Sequence, residues 1–182
     1  ALNSPWLAVM DGMLKRASEA AGDRIAVSQL HLRGVIDMLA ALLGENTLCI
    51  AFYDKPAELE KLAEKFTELY LKIANKGINL RTSWKGGFVS SWGIYAPGPI
   101  LDYQIDASSI LSPEIYKQYI LEFDRKIISN FPYSVLHMHA CGLHMTDNVL
   151  EIDELKAIEI VLERETGVWK KEYILECCEK MQ

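Results

Sequence analysis

Residues 134–142, Ser-Val-Leu-His-Met-His-Ala-Cys-Gly, constrain this chain more than any other stretch. Side chains of a strand alternate between two faces. Val135, His137, His139 and Cys141 therefore share one face, and Leu136, Met138 and Ala140 the other. The apolar face suits the underside of a helix layer. The opposite face carries two imidazoles and a thiol, which no hydrophobic layer requires. Gly142 follows, where the backbone is free to turn sharply. The run predicts a buried strand that delivers His139 and Cys141 to a site at its carboxyl end.

The rest of the chain alternates around it. Apolar residues at helical spacing predict helices over 7–21 and 35–43. Residues 25–31 read as a short strand, and 47–53 fit either a strand or a buried helical turn. Asp54, Pro56 and Glu58 mark the start of a helix that Gly77 should stop. Residues 78–111 are rich in Gly, Pro and aromatics, which suits a strand followed by a long pocket-lining loop. Ser90, Trp92 and Tyr95 are its candidates for contact with a substrate. Residues 102–106 are a further strand or part of that loop. Ser112, Pro113 and Glu114 open a helix that runs to about residue 127. A short helix over 145–150, a strand over 157–163 and a helix over 169–181 complete the order.

Strands and helices that alternate in this way predict βαβ units and a parallel sheet in one domain. Two strands have polar inner faces, with His137 and His139 on one and Glu159 and Glu163 on the other. Such faces suit the interior and mouth of a barrel better than a sheet covered by helices on both sides. The expected fold is α/β, of the (β/α)8 TIM-barrel type. Only four or five of the eight strands can be counted in 182 residues, where a closed barrel usually takes about 250. Either strands are missing or the sheet is open.

A formal net charge of -6 gives no electrostatic case for nucleic acid or an anionic membrane. No apolar run approaches the ~20 residues of a membrane helix. The chain starts without Met and without a basic segment leading into an apolar one, so it reads as a processed product or a fragment with no signal peptide. Cys49, Cys141, Cys177 and Cys178 have no disulfide-framework spacing, which favours a reducing, cytoplasmic setting.

Four stretches together resemble the uroporphyrinogen decarboxylase superfamily. Leu32-Arg33-Gly34 through Leu43 is similar to the family's segment after an early strand. Tyr53-Asp54-Lys55-Pro56-Ala57-Glu58-Leu59 resembles its D-x-P-E helix start, and Leu111-Ser112-Pro113-Glu114-Ile115-Tyr116 its SPE helix start. His139-Ala140-Cys141-Gly142 resembles the H-x-C-G zinc signature of its methyltransferase branch. The resemblance spans roughly residues 25–163 and implies the middle of a (β/α)8 barrel about twice this length; it leaves open whether the chain folds alone or two copies complete each other as a homo-oligomer. It implies Zn²⁺ that turns a thiol substrate into a thiolate, which attacks the methyl group of a methyl-corrinoid held free or on a corrinoid protein. His139 and Cys141 would be ligands, with Glu159 or Glu163 as an outer ligand or supporting partner. His137, deeper in the strand, is a packing residue or lines the substrate pocket. Two other readings stand beside this one. The first is decarboxylation of uroporphyrinogen III without metal, for which the scattered arginines form no cluster. The second is a non-catalytic subunit that binds a partner, with Cys141 an ordinary buried thiol and His139 a hydrogen-bonded core group.

Overall fold

Helices dominate the first half of the chain, and each begins and ends where local chemistry dictates. The computed structural model describes residues 3–162 and 171–182. The Ser4 hydroxyl caps α1 (Pro5–Ala21) by accepting the Trp6 N–H, and Pro5 fills a first-turn position that needs no N–H. Between α2 (Val35–Leu43) and α3 (Glu45–Asp54) the chain turns at Gly44, whose φ of 78° is left-handed. The ambiguous stretch 47–53 is therefore helix, and buries Leu48 and Phe52 one turn apart. α4 (Pro56–Asn79) buries Leu59, Ala63, Thr67, Tyr70, Ala74 and Ile78, an interval of three or four each time. It runs through Gly77, which was expected to stop it. Gly77 keeps helical backbone and lies against Leu14 of α1, so its role is close packing.

The irregular section 78–111 holds a short antiparallel hairpin, β1 (Phe88–Val89) with β2 (Tyr95–Ala96). A parallel sheet of three strands follows, in the order β3 (Ile100–Gln104), β4 (Tyr133–His139), β5 (Ala157–Val161). The fold is thus mixed α/β with a small parallel sheet, and the described residues form no closed barrel. One face of the sheet presents Leu101, Tyr103, Leu136 and Met138 to the main core with α2, α4 and α6 (Leu121–Ile128). On the other face Ile100 and Val135 pack against Phe88, Trp92 and Ala96 of the hairpin.

Residues 25–31, expected as a strand, form no ladder. A side chain takes the ladder's place. The Gln29 amide brackets Asp102 of β3, donating to its carbonyl at 2.9 Å and accepting its N–H at 3.4 Å. The Tyr70 hydroxyl donates to the same carbonyl at 2.9 Å. With that edge already occupied, the backbone of 25–31 has no row of partners.

The helix expected over 112–127 is two, α5 (Pro113–Tyr119) and α6, broken at Ile120 with φ -121°. The break brings Asp124 beneath Tyr116. Both the Tyr103 and Tyr116 hydroxyls donate to the Asp124 carboxylate, the latter at 2.6 Å. The Tyr103 oxygen also accepts the Val35 N–H at 3.1 Å. One buried carboxylate thus ties β3, α5, α6 and the start of α2. Burial pushes its carboxyl up to about 7 and raises both phenols well above their ordinary range.

β4 ends at His139, earlier than the expected turn at Gly142, because Ala140–Met145 winds directly into a 3₁₀ turn. Its Ala140 and Leu143 are buried with Cys177 of the last helix, Lys171–Lys180. A single turn of α-helix, Thr146–Val149, leads on toward β5. Among the described residues no single helix is long and apolar enough to cross a membrane.

Gly34 is where α2 meets the sheet. A Cβ there would lie 2.0 Å from the Gln104 carbonyl and 3.2 Å from the Tyr103 ring. Gly34→Ala must move main chain and should cost about 3 kcal/mol, read as a fall of roughly 10 °C in Tm. Gly12→Ala, in α1 with nothing within 4 Å of its Cβ, should instead gain up to about 1 kcal/mol. Equal shifts in the two variants would refute the close approach.

Candidate metal centre

Parallel register lines up Gln104, His137 and Glu159 across the three strands. His139 follows two residues on, at the carboxyl end of β4. β3 leads at the same end into a 3₁₀ turn, Asp106–Ile110, that starts with a carboxylate. Open parallel sheets gather their ligands at these ends. The result is one group of three donors, Asp106, His137 and His139, whose ligand atoms all lie within 4.8 Å of one another.

His137 Nε2 is 3.6 Å and His139 Nε2 3.8 Å from Asp106 Oδ1. The other nitrogen of His137, Nδ1, is hydrogen-bonded to the Glu159 carboxylate. That bond fixes the ring so that Nε2 faces Asp106, the supporting arrangement metal-bound histidines use. The rings of His137 and His139 meet edge to face at 5.0 Å. The indole of Trp92 lies flat on His137, with centroids 5.1 Å apart and planes 2° apart. His31 meets the edge of that indole at 5.4 Å. His137 is consequently held on a face by Trp92, at Nδ1 by Glu159, and open at Nε2 toward the carboxylate.

Asp106 is tethered from behind. The Gln104 amide donates to Asp106 Oδ2 at 3.3 Å and to Asp37 Oδ2 at 3.4 Å. Asp37 Oδ1 accepts the Ala107 N–H at 2.8 Å. Burial, opposed by that N–H, pushes the Asp37 carboxyl up to about 6. Asp106 Oδ1, by contrast, is shielded from solvent with no hydrogen-bond partner among the described residues. An orphaned acceptor aimed at two imidazoles fits a divalent cation. Bonds of 2.0–2.1 Å at tetrahedral angles would bring ligand atoms to about 3.3 Å, so the two distances from Asp106 Oδ1 to the imidazoles need to close by about half an ångström or less. Two imidazoles and one carboxylate suit Zn²⁺ with an open fourth position, and other borderline divalent ions as well.

A cleft of about 400 Å³ adjoins this group, with Arg33, Asp37, Glu45, Gln104, Asp106 and Ser109 in its wall. Its size suits a small molecule rather than a macrocycle.

Of the residues singled out in the sequence, His137 and His139 are brought together. Cys141 is half-buried in the 3₁₀ turn and stands outside the group of three. Glu163 lies outside the described residues, and Glu159, weighed beside it, is the partner of His137. Of the three hairpin candidates, Trp92 reaches the histidines. Ser90 is buried, and its hydroxyl accepts the Trp92 and Ile94 N–H groups at 3.2 Å, which holds the hairpin turn. Tyr95 is about half exposed and donates to the Lys85 carbonyl at 3.2 Å. Asp106 was missed. Its signal was the alternation Gln104, Asp106 running past the end of a strand beside the histidine strand.

No family model, curated protein or solved structure matches this chain.

Proposed function

We propose that this chain is a metal-dependent enzyme of the uroporphyrinogen decarboxylase-like barrel type, and that it transfers a methyl group from a methyl-corrinoid to a thiol. Asp106, His137 and His139 would hold Zn²⁺, with Glu159 orienting His137. The observation that carries the reading is the convergence of these donors at the carboxyl ends of β3 and β4, where barrel enzymes keep their chemistry. The barrel assignment is supported by a parallel sheet with one face on helices and, toward the carboxyl ends of the other, the polar side chains Gln104, His137, His139 and Glu159. Zinc held there would supply Lewis acidity that favours the thiolate form of a bound thiol. Trp92 excludes water from one side of His137, and Gln104 keeps Asp106 in place. Given the cleft's size, the corrinoid would be presented at the surface, free or on a partner protein. Decarboxylation of a polycarboxylate has less support, because the cleft sets one guanidinium against three carboxylates.

Calorimetric titration of zinc into metal-stripped protein tests the centre, and loss of methylcobalamin absorbance in the presence of a thiol tests the reaction. One zinc per chain and zinc-dependent demethylation are expected. Failure to bind zinc at micromolar concentration would sink the proposal. Zinc binding without demethylation would leave the centre and remove the reaction.

A further inference from the structure

We infer that the outer face of α1 is a homodimer interface, on which a second copy of this chain lays its own α1 antiparallel across a two-fold axis. The helix has two sides of different character. Leu14, Ser18 and Ala21 are buried against the rest of the chain, and Leu14 lies against Gly77 of α4. The Asp11–Lys76 ion pair at 2.5 Å and the Ser18 hydroxyl, which donates to the Leu80 carbonyl at 3.3 Å, fix that side. The other side carries Trp6, Val9 and Met13, which are 77 %, 50 % and 59 % exposed, with the exposed Ala17 and Ala20. At 3.6 residues per turn these five fall within an arc of about 80°. No charged side chain of the helix shares that arc, where a solvated helix face would carry several.

The order along the stripe names the occupant. Its intervals are three, four, four and three residues, the same read from either end, with Met13 at the midpoint. A reversed copy of the helix therefore matches it in register. Met13 meets Met13 at the axis, Val9 of one copy meets Ala17 of the other, and Trp6 meets Ala20. Each bulky residue faces a small one, as interdigitating helices need. A parallel copy would instead set indole against indole. Arg24 adds to the match. Its guanidinium donates to the Ala20 carbonyl at 3.0 Å, which holds a cation beside the place where the opposing indole lands, and the two attract. The contact is isologous, so it closes at two copies. α1, with 17 residues, is about 25 Å long, and an indole offers on the order of 200 Å². Two such stripes bury roughly 1,000 Å² in all, the lower bound of a specific interface. The dimer is therefore weak, with a Kd on the order of 10–100 µM.

Sedimentation velocity on the whole chain, from about 1 to about 500 µM, reads the monomer–dimer equilibrium, and a dimer with a Kd inside that range is expected. Met13→Glu sets two carboxylates against each other at the axis and should raise Kd by at least about 100-fold. Trp6→Ala should raise it about tenfold. Leu175→Glu, at an exposed apolar position of the last helix, should change it by less than about threefold. Met13→Cys should give a disulfide-linked dimer under mild oxidation, and Lys15→Cys, on another side of α1, should not exceed the parent. All these positions are exposed, and far-UV circular dichroism shows that each variant is folded. A chain that stays monomeric at the highest concentration overturns the inference. So does a dimer indifferent to Met13→Glu and Trp6→Ala, or a Met13→Cys protein that cross-links no faster than Lys15→Cys. Growth past the dimer with concentration also overturns it, because that marks a head-to-tail contact.

Discussion

His139→Ala should lower zinc affinity by about 10²- to 10³-fold, because a structural zinc site worth roughly 10–16 kcal/mol divides into about 3 kcal/mol per ligand. His137→Ala should do the same and release Glu159 as well. Glu159→Gln should cost only about 10- to 100-fold, since it touches the ring and not the metal. Cys141→Ala should stay within about threefold of the parent, because Cys141 is outside the group of three donors. This set discriminates sharply between two ligand schemes. A zinc ion held by the His-x-Cys pair would give the opposite order, with Cys141→Ala severe and His137→Ala mild. Competition with a chromophoric chelator reads all four variants, with far-UV circular dichroism to show that each is folded.

Asp124→Ala should be the most damaging change away from the centre. It leaves the buried Tyr103 and Tyr116 hydroxyls without their acceptor, at about 1–3 kcal/mol each, and opens a gap in the core. A loss of roughly 4 kcal/mol is expected by denaturant unfolding. Asp124→Asn reports on pH. The carboxyl rises from 3.8 to about 7 in the folded protein because it is buried. Between those values the folded state binds more protons than the unfolded, so this group's contribution falls as pH rises through the window and is level above it. The stability advantage of the parent over Asp124→Asn should therefore shrink between pH 4 and pH 7. Asp37, present in both proteins, gives each one a fall of the same sign up to about pH 6 and cancels in their difference. A difference that stays constant over this range would mean that Asp124 remains ionised throughout.

Much of this architecture was legible because local chemistry decided it. Ser112 with Pro113 opens α5, and the Leu59-to-Ile78 stripe lays α4 on the core. The alternation through His137 and His139 does mark a buried strand. Legibility ended where a distant partner decided. Residues 25–31 have a strand's alternation, but Gln29 and Tyr70 had already taken the edge they would pair with. The break at Ile120 serves a carboxylate shared by Tyr116 just before it and by Tyr103 of β3. In the centre, the imidazoles were visible as oddities on an otherwise apolar strand. Their carboxylate was not, because Asp106 belongs to a different strand's exit and meets them only through the parallel register. Cys141 looked like a companion because the alternation was carried two residues past the point where the backbone begins to coil.

The Gln29 amide closes the β3 edge without fixing any alignment, since one side chain can grip a neighbouring backbone from many positions of its own. Substitutions over residues 25–33 that keep Gln29 and His31 could accordingly accumulate in descendants of this protein without displacing a histidine of the centre. Arg33 ends that permissive stretch and also borders the cleft. Divergence in what such descendants accept would then arise at the tethered margin, while the strand bearing the imidazoles stays fixed.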